Sequence, residues 1–474
     1  MALPVAAEET ERLNVLFIAV DDLKPVLGAY GDTLAITPNM DRLAGRGVRF
    51  DRAYCNQAIC GPSRNNLMLG SRSTSTGLYN FGKNFRSSLP DAVTMTQHFM
   101  KHGYRAEAVG KIMHTGHATK EDAASWSVEP VIEKVVEYLK PESTDGGKLT
   151  REEAFFSNRE LHRINELPKG MAWESADVAD NAYADGRIAE MGIKRLHEAK
   201  ARKEPFFLAL GFVKPHLPFT APTKYWDMHD PAKFTVVDDL DTPRGSPRYA
   251  GKRGHELSNY EPVPPSGLPD EATARKLIHG YYAATSYADA QIGRVLDELD
   301  RLGLTEKTIV VLWGDHGWHF GDHGIWTKHT NYEQANRIPL LIAAPGIKAG
   351  SNKQFTETVD IYPTLAALAG LPKPTGPQPM DGLSLIPVLN DASVAVRDHA
   401  YHCFPRGERM GRAIRTERYR LVEWKRAGGS TDEAEFELFD YQSDPLESQN
   451  LAAQNPAVVK ELSAILARHP EAKN

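Results

Sequence analysis

The sequence predicts a doubly wound α/β fold, because short apolar runs alternate with amphipathic helical stretches along most of its length. The run 13–20 (LNVLFIAV) is apolar at every position but Asn14, as in a strand buried on both faces of a parallel sheet. Similar runs recur at 106–109, at 206–212 (FFLALGF), at 308–313 (TIVVLW) and at 339–344, the last ending in a Pro-Gly turn. Between them, 281–302 is the clearest helix, with Ile292, Val295, Leu296, Leu299 and Leu302 recurring on one face.

Four of these strands end in charged or imidazole residues. Asp21-Asp22 follows the first, and Gly110-Lys111 with His114 follows the second. Lys214-Pro215-His216 follows the third, and Gly314-Asp315-His316 the fourth. In open α/β sheets ligands bind beyond the carboxyl ends of the strands, so this clustering predicts a site there. After Pro387 the pattern changes. Segments 412–424 (RAIRTERYRLVEW) and 435–441 (EFELFDY) read as two strands of an antiparallel sheet, and 457–468 as a helix covering one face. The expected division is a catalytic domain over 1–390 and a smaller α+β subdomain over 391–474. Segment 140–170 is polar and irregular and reads as an inserted loop; no internal repeat or low-complexity tract is present.

The 474 residues are 41% hydrophobic and 25% charged, the balance of a globular protein. A net charge of −6, spread along the chain, argues against a nucleic-acid or membrane-surface protein. It leaves room for an anionic substrate in a locally cationic pocket. No apolar run approaches the ~18 residues needed to span a bilayer. Residues 1–8 (MALPVAAE) resemble the small-residue tail near a signal-peptidase site, which sets the expectation of an exported, periplasmic or extracellular protein, with a cytoplasmic enzyme as the alternative. Three cysteines, Cys55, Cys60 and Cys403, provide no disulfide framework.

Asp21-Asp22 and Asp315-His316 would converge on one crevice. Either pair alone reads as turn or capping acids. Together, three carboxylates cannot stay ionised at close range without a counter-charge, and a divalent cation is the natural one. Oxygen-rich ligation favours Ca²⁺, Mg²⁺ or Mn²⁺, while nitrogen ligation by His316 pulls towards a softer metal. Cys60-Gly61-Pro62-Ser63-Arg64 opens a helix, where a thiol can be a low-pKa nucleophile. Arg64, one turn on, is costly beside a packing cysteine.

The C-x-P-S-R motif at Cys60 resembles the modification sequence of type I sulfatases, in the alkaline-phosphatase-like superfamily. The likeness runs from about Asn14 to Leu451. Gly314-Asp315-His316-Gly317-Trp318 through Gly321-Asp322-His323-Gly324, with Trp326 and Lys328, is similar to iduronate-2-sulfatases; so are Val109-Gly110-Lys111 with His114, and Lys214-Pro215-His216 with Pro218-Phe219. One departure is that Met68-Leu69-Gly70-Ser71 stands where the family usually has Leu-Thr-Gly-Arg.

The resemblance implies a large mixed, mostly parallel sheet between helices. It implies that a maturation enzyme oxidises Cys60 to formylglycine, whose hydrate is the nucleophile and passes through a sulfo-enzyme intermediate. Asp21, Asp22, Asp315 and His316, with the group made from Cys60, would bind the metal, calcium first among the candidates. Arg64 would hold the diol, Lys111 and Lys328 would clamp the sulfate, His114 would assist the diol, and His216 would protonate the leaving oxygen. Trp318 and His329 are candidate substrate contacts. His319, His323 and Trp326 either line a sugar subsite or pack the loop, and His98, His102 and His117 read as structural or exposed. The implied substrate is a sulfated carbohydrate, cleaved by exo-acting 2-O-desulfation of a uronic acid. An arylsulfatase, a phosphonate or phosphodiester hydrolase, and an inactive carbohydrate-binding pseudoenzyme are the alternatives. Loops 140–170 and 238–269 are where substrate choice would lie.

Overall fold

The computed structural model describes residues 12–473, apart from 83, 203, 238–240 and 252–255. The N-terminal segment 1–8 and part of the 238–269 loop therefore lie outside the described residues. The strands before the C-terminal unit are β1 (Asn14–Val20), β2 (Val48–Tyr54), β3 (Arg105–Gly110), β4 (Trp173–Ala176), β5 (Phe206–Phe212), β6 (Phe219–Pro222), β7 (Thr308–Gly314), β8 (Arg337–Ile338), β9 (Leu340–Ala343) and β10 (Gly350–Glu357). Eight of them form one sheet in the order β10-β2-β9-β7-β1-β5-β3, with β8 also pairing β2. The pairs β3–β5, β5–β1, β1–β7 and β2–β10 are parallel, whereas β9 runs against both β7 and β2. The sheet is thus mixed but mostly parallel. Strands β4 and β6 make a small parallel pair of their own.

The continuous apolar character of β1 follows from its central place. Val15, Phe17 and Ala19 join one core with Leu67, Met95, Phe99, Ile361 and Leu365, from the helices Cys60–Leu69, Met95–Lys101 and Ile361–Leu368. Leu16, Ile18 and Val20 join a second core with Met40, Ile188, Ile292 and Val295, from Pro38–Arg46, Ala184–Ala201 and Glu271–Arg301. Each large apolar side chain buried in this way contributes about 1.5–3 kcal/mol. The helix predicted over 281–302 begins ten residues earlier, at Glu271, where the Asp270 side chain accepts from the Thr273 amide at 2.8 Å.

Register levels the strand ends. Val20 lies opposite Phe212 and Gly314, so Asp21, Val213 and Asp315 leave the sheet side by side. Gly110 pairs with Gly211 and has φ +81°; a Cβ there would sit 2.2 Å from the Gly211 carbonyl oxygen. Only glycine lets the chain turn there and carry Lys111 to the same level.

The C-terminal sheet is a meander of β11 (Ala400–Arg406), β12 (Arg409–Arg415), β13 (Tyr419–Arg426) and β14 (Glu435–Asp440). The single strand expected over 412–424 is corrected to parts of β12 and β13, joined by a turn. The Thr416 amide donates to the Tyr419 carbonyl at 2.8 Å, and the Tyr419 amide donates to Thr416 Oγ1 at 3.0 Å. The turn has no glycine or proline, so nothing local marked it. The helix Pro456–Leu466 packs Leu462 and Leu466 on Tyr401, Ile414, Leu421 and Leu438. Among the described residues, no helix is long and apolar enough to cross a membrane.

Strands β2, β4, β6, β8, β10 and β11 were not expected. In β2, Arg49, Asp51 and Arg52 interrupt the apolar residues, and the edge strand β10 exposes Gly350, Ser351 and Lys353. Segment 140–170 also differs from the irregular loop expected. It carries the helix Arg151–Ser157, closed at its start by reciprocal bonds between Thr150 and Glu153.

Candidate active site

The strand-end residues converge as their positions predicted. Asp22, Cys60, Asp315 and His316 place ligand-type atoms within 4.8 Å of one another, and so do Asp21, Asp22, Cys60 and His216. All are buried. Asp22 has φ +60°, a left-handed conformation that lets two successive carboxylates both turn inward from β1. Its amide donates to Asp315 Oδ1 at 2.9 Å, and its carbonyl accepts from the Tyr281 hydroxyl at 2.5 Å.

Cys60 is the first residue of the helix Cys60–Leu69 and is 1% exposed. Its Sγ is 3.3 Å from His316 Nε2 and 3.8 Å from Asp22 Oδ1. Burial holds the thiol well above its ordinary pKa, with the Lys111 charge only partly opposing this. The unmodified cysteine is therefore a weak nucleophile in this cleft. The Ser63 hydroxyl donates to the Asp315 carbonyl at 2.5 Å and fixes the helix to the end of β7.

Arg64 is fully buried and joins the acids. Nη2 meets Asp21 Oδ1 at 2.7 Å, Nε meets Asp315 Oδ2 at 3.1 Å, and Nη1 donates to the carbonyls of Lys111 and Ile112. Lys111 pairs with Asp21 and lies 5.1 Å from the centre of the Phe156 ring. Lys328 meets Asp22 Oδ2 at 2.9 Å above the Trp318 ring. Burial would raise the Asp21 pKa, but Lys111 and Arg64 outweigh it and hold the carboxylate ionised. Asp22 keeps a net rise to about 6, because burial exceeds the pull of Lys328 and His316.

The donor set fits a divalent cation. His316 Nδ1 lies 3.0 Å from the Gly317 carbonyl, an acceptor only, so that nitrogen carries the proton. In the neutral ring Nε2 then presents a lone pair, 3.2 Å from Asp22 Oδ1 and beside Cys60 Sγ. Lone-pair carriers packed together in a buried cleft suit a positive ion between them.

The two other histidines lie against this cluster. His216 Nδ1 is 2.5 Å from the Leu217 carbonyl, which leaves Nε2 facing the cleft. Burial, then Lys111 and Lys328, push its pKa well below 6.5. Among the described residues His114 Nδ1, which is buried, has no hydrogen-bond partner, while Nε2 meets His117 Nδ1 at 3.2 Å. His117, expected to be structural or exposed, is half-buried and packs: its ring stacks on Phe81 and Phe155, with centroids 4.8 and 4.7 Å away, and its Nδ1 meets His114 Nε2.

Other expectations divide. Trp318 is 1% exposed and packs against Phe219 and under Lys328, so it supports that cation and does not line an open subsite. His319 is held between Asp322 and Thr330, and His323 packs on Tyr332, so both pack the loop. The His329 amide donates to the Ala58 carbonyl at 3.1 Å, just before the cysteine helix. The sequence reading missed Glu256, whose carboxylate reaches Lys328 and His216, and Phe156 over Lys111. Neither follows a predicted strand, and no motif marks either.

A sulfatase family profile matches residues 13–371, and a profile described as "N-sulphoglucosamine sulphohydrolase, C-terminal" matches 321–471. The chain is 31% identical to mouse iduronate 2-sulfatase over 95% of its own length and 93% of that protein. Its fold resembles a structure solved with its substrate D-glucosamine-2-N,6-O-disulfate, with a TM-score of 0.73 at 23% identity, covering 96% of this chain and 97% of that one. It also resembles the phosphonate monoester hydrolase of Silicibacter pomeroyi, with a TM-score of 0.74 at 22% identity, covering 97% and 95%.

Proposed function

Since this chain belongs to the sulfatase family, as a type I sulfatase of the alkaline-phosphatase-like superfamily and a sulfuric ester hydrolase, we propose that it removes the 2-O-sulfate from a uronic acid at the non-reducing end of a glycosaminoglycan or similar fragment. The observation that carries this reading is the meeting of Cys60, three strand-end carboxylates and His316 with Arg64, Lys111 and Lys328 in one buried cleft. The uronate preference is supported by the 31% identity to iduronate 2-sulfatase along nearly the whole chain.

Asp21, Asp22, Asp315 and His316 would hold calcium or a similar cation, which supplies a positive charge that polarises sulfate oxygens and acidifies a bound hydroxyl. Cys60, converted to formylglycine by a maturation enzyme, would supply a geminal diol, one hydroxyl for attack and a second for release. The remaining work falls to side chains already in place. Arg64 neutralises Asp21 and Asp315 and fixes the carbonyl of Lys111, so that the ammonium is aimed into the cleft. Lys111 and Lys328 donate to the oxygens on which charge develops. His114, kept neutral by burial and by Lys111, offers Nδ1 as an acceptor for a hydroxyl proton. His216 directs Nε2 at the leaving oxygen and acts as the acid. Burial and the two lysines oppose its protonation, but an incoming sulfate ester offsets the lysines and favours the imidazolium.

A binding-only protein would lack a nucleophile, a metal ligand or a cation, yet each position is filled. The test is sulfate release from a 2-O-sulfated uronate disaccharide, an internally sulfated polymer and an aryl sulfate. The protein must first show, by peptide mass, an aldehyde at Cys60. Release mainly from the disaccharide is expected. Release only from the aryl ester, or none, overturns the uronate assignment.

A further inference from the structure

We propose that Glu256 is a specificity-determining residue: its carboxylate stands in the anion position of the cleft, and a sulfate ester binds by displacing it. The inference rests on reading Lys328 as a sulfate clamp and His216 as the acid for the leaving oxygen. Glu256 Oε1 lies 2.9 Å from Lys328 Nζ and 3.3 Å from His216 Nε2, and Oε2 lies 2.7 Å from the same ammonium. In the ester complex that ammonium meets a sulfate oxygen and that imidazole the bridging oxygen. One carboxylate oxygen touching both therefore occupies the place where the ester has to sit. Two anions cannot share it.

Glu256 differs from the other acids of the cleft. Asp21, Asp22 and Asp315 leave strand ends and are fully buried; Arg64 ties Asp21 and Asp315, backbone amides also reach Asp315, and Asp22 is held by Lys328 and His316. Glu256 comes from a loop, its side chain is 14% exposed, and among the described residues its carboxylate contacts only Lys328 and His216. Directly after it the chain is fixed. Leu257 and Tyr260 are buried, and the Glu261 amide donates to the Gly170 carbonyl at 2.8 Å. Withdrawal therefore needs a side-chain rotation and no movement of the residues that follow.

The consequence is selection by exchange. A small free anion regains only the Lys328 and His216 contacts that it takes from Glu256. A sulfate carried on a sugar keeps the contacts of the sugar as well. The carboxylate thus favours the ester over free sulfate and helps expel the product.

Inorganic sulfate is the probe, titrated by calorimetry in calcium-containing buffer into the parent protein, E256Q, E256D and K328A, each checked for an unchanged melting profile. E256Q, isosteric and neutral, is expected to bind sulfate about tenfold more tightly, a change of about 1.4 kcal/mol. E256D keeps the charge on a shorter stem and should fall between. Equal or weaker binding by E256Q, with binding lost in K328A, overturns the displacement and leaves the clamp standing. Undiminished binding by K328A removes the clamp, and the inference with it.

Discussion

The sulfur of Cys60 and Nε2 of His316 lie 3.3 Å apart, although 256 residues separate them in sequence. The helix Cys60–Leu69 and the end of β7 are locked in this relation by the Ser63 hydroxyl on the Asp315 carbonyl. A group made from Cys60 is therefore held beside the candidate metal donors before any substrate arrives.

Cys60→Ala should abolish turnover and leave the fold nearly intact, because the residue is small and the two groups its sulfur touches, His316 and Asp22, are held by other partners as well. Sulfate release together with a thermal melt checks both halves. Cys60→Ser should turn over at most once, since a serine ester has no second hydroxyl with which to expel sulfate. Sustained turnover by either variant rules out the nucleophile proposed.

Removal of the divalent ion should lower both activity and melting temperature. Three carboxylates and a histidine lone pair face one another in a buried cleft, and an ion bound only by the native state stabilises it by about 2.7 kcal/mol at a hundred times its Kd. Differential scanning calorimetry with chelator, then with calcium restored, reads the effect. Asp315→Asn should lose most of the calcium-dependent shift. An identical shift in that variant would place the ion elsewhere.

Arg64→Ala should destabilise the protein by about 3–5 kcal/mol, because it leaves Asp21 and Asp315 as buried charges with their main partner gone. Arg64→Lys keeps the charge but cannot span both acids and the carbonyls of Lys111 and Ile112, so it should recover only part of the loss. Urea unfolding of the three proteins is the measurement.

Acid should loosen the seat of the C-terminal sheet. Glu333 meets Arg420 at 2.7 Å and Arg415 at 3.3 Å and accepts from the Tyr54 hydroxyl on β2 at 2.9 Å. Burial alone would raise its pKa, but Arg415, Arg420 and Arg337 outweigh it and bring it from 4.5 down to about 2. The folded value is the lower one, so this stabilisation is complete above about pH 4.5 and is lost as pH falls towards 2. Its size is about 3 kcal/mol. Unfolding measured from pH 7 to pH 3 should be less acid-sensitive in Glu333→Gln than in the parent. Equal slopes would exclude Glu333 as the source.

The strands that bear the site, and the residue types at their ends, are legible in the chain. The two-sided burial of β1, β5 and β7 wrote apolar runs into the chain, and the residue after such a run must lie at the sheet edge. That rule placed Asp21, Lys111, His216 and Asp315 in one crevice. What faces them is set by packing between distant segments. Glu256 lies on an irregular segment whose course is set by long-range contacts, such as the Glu261 amide on Gly170, and Phe156 on the helix Arg151–Ser157, too short for periodicity to mark. His117 is brought against His114 by stacking on Phe81 and Phe155, and Trp318 sinks beneath Lys328 because the loop folds over Phe219. Residue type and local spacing encode which groups can react. Which groups touch depends on how separate elements pack, a property of pairs distant in sequence.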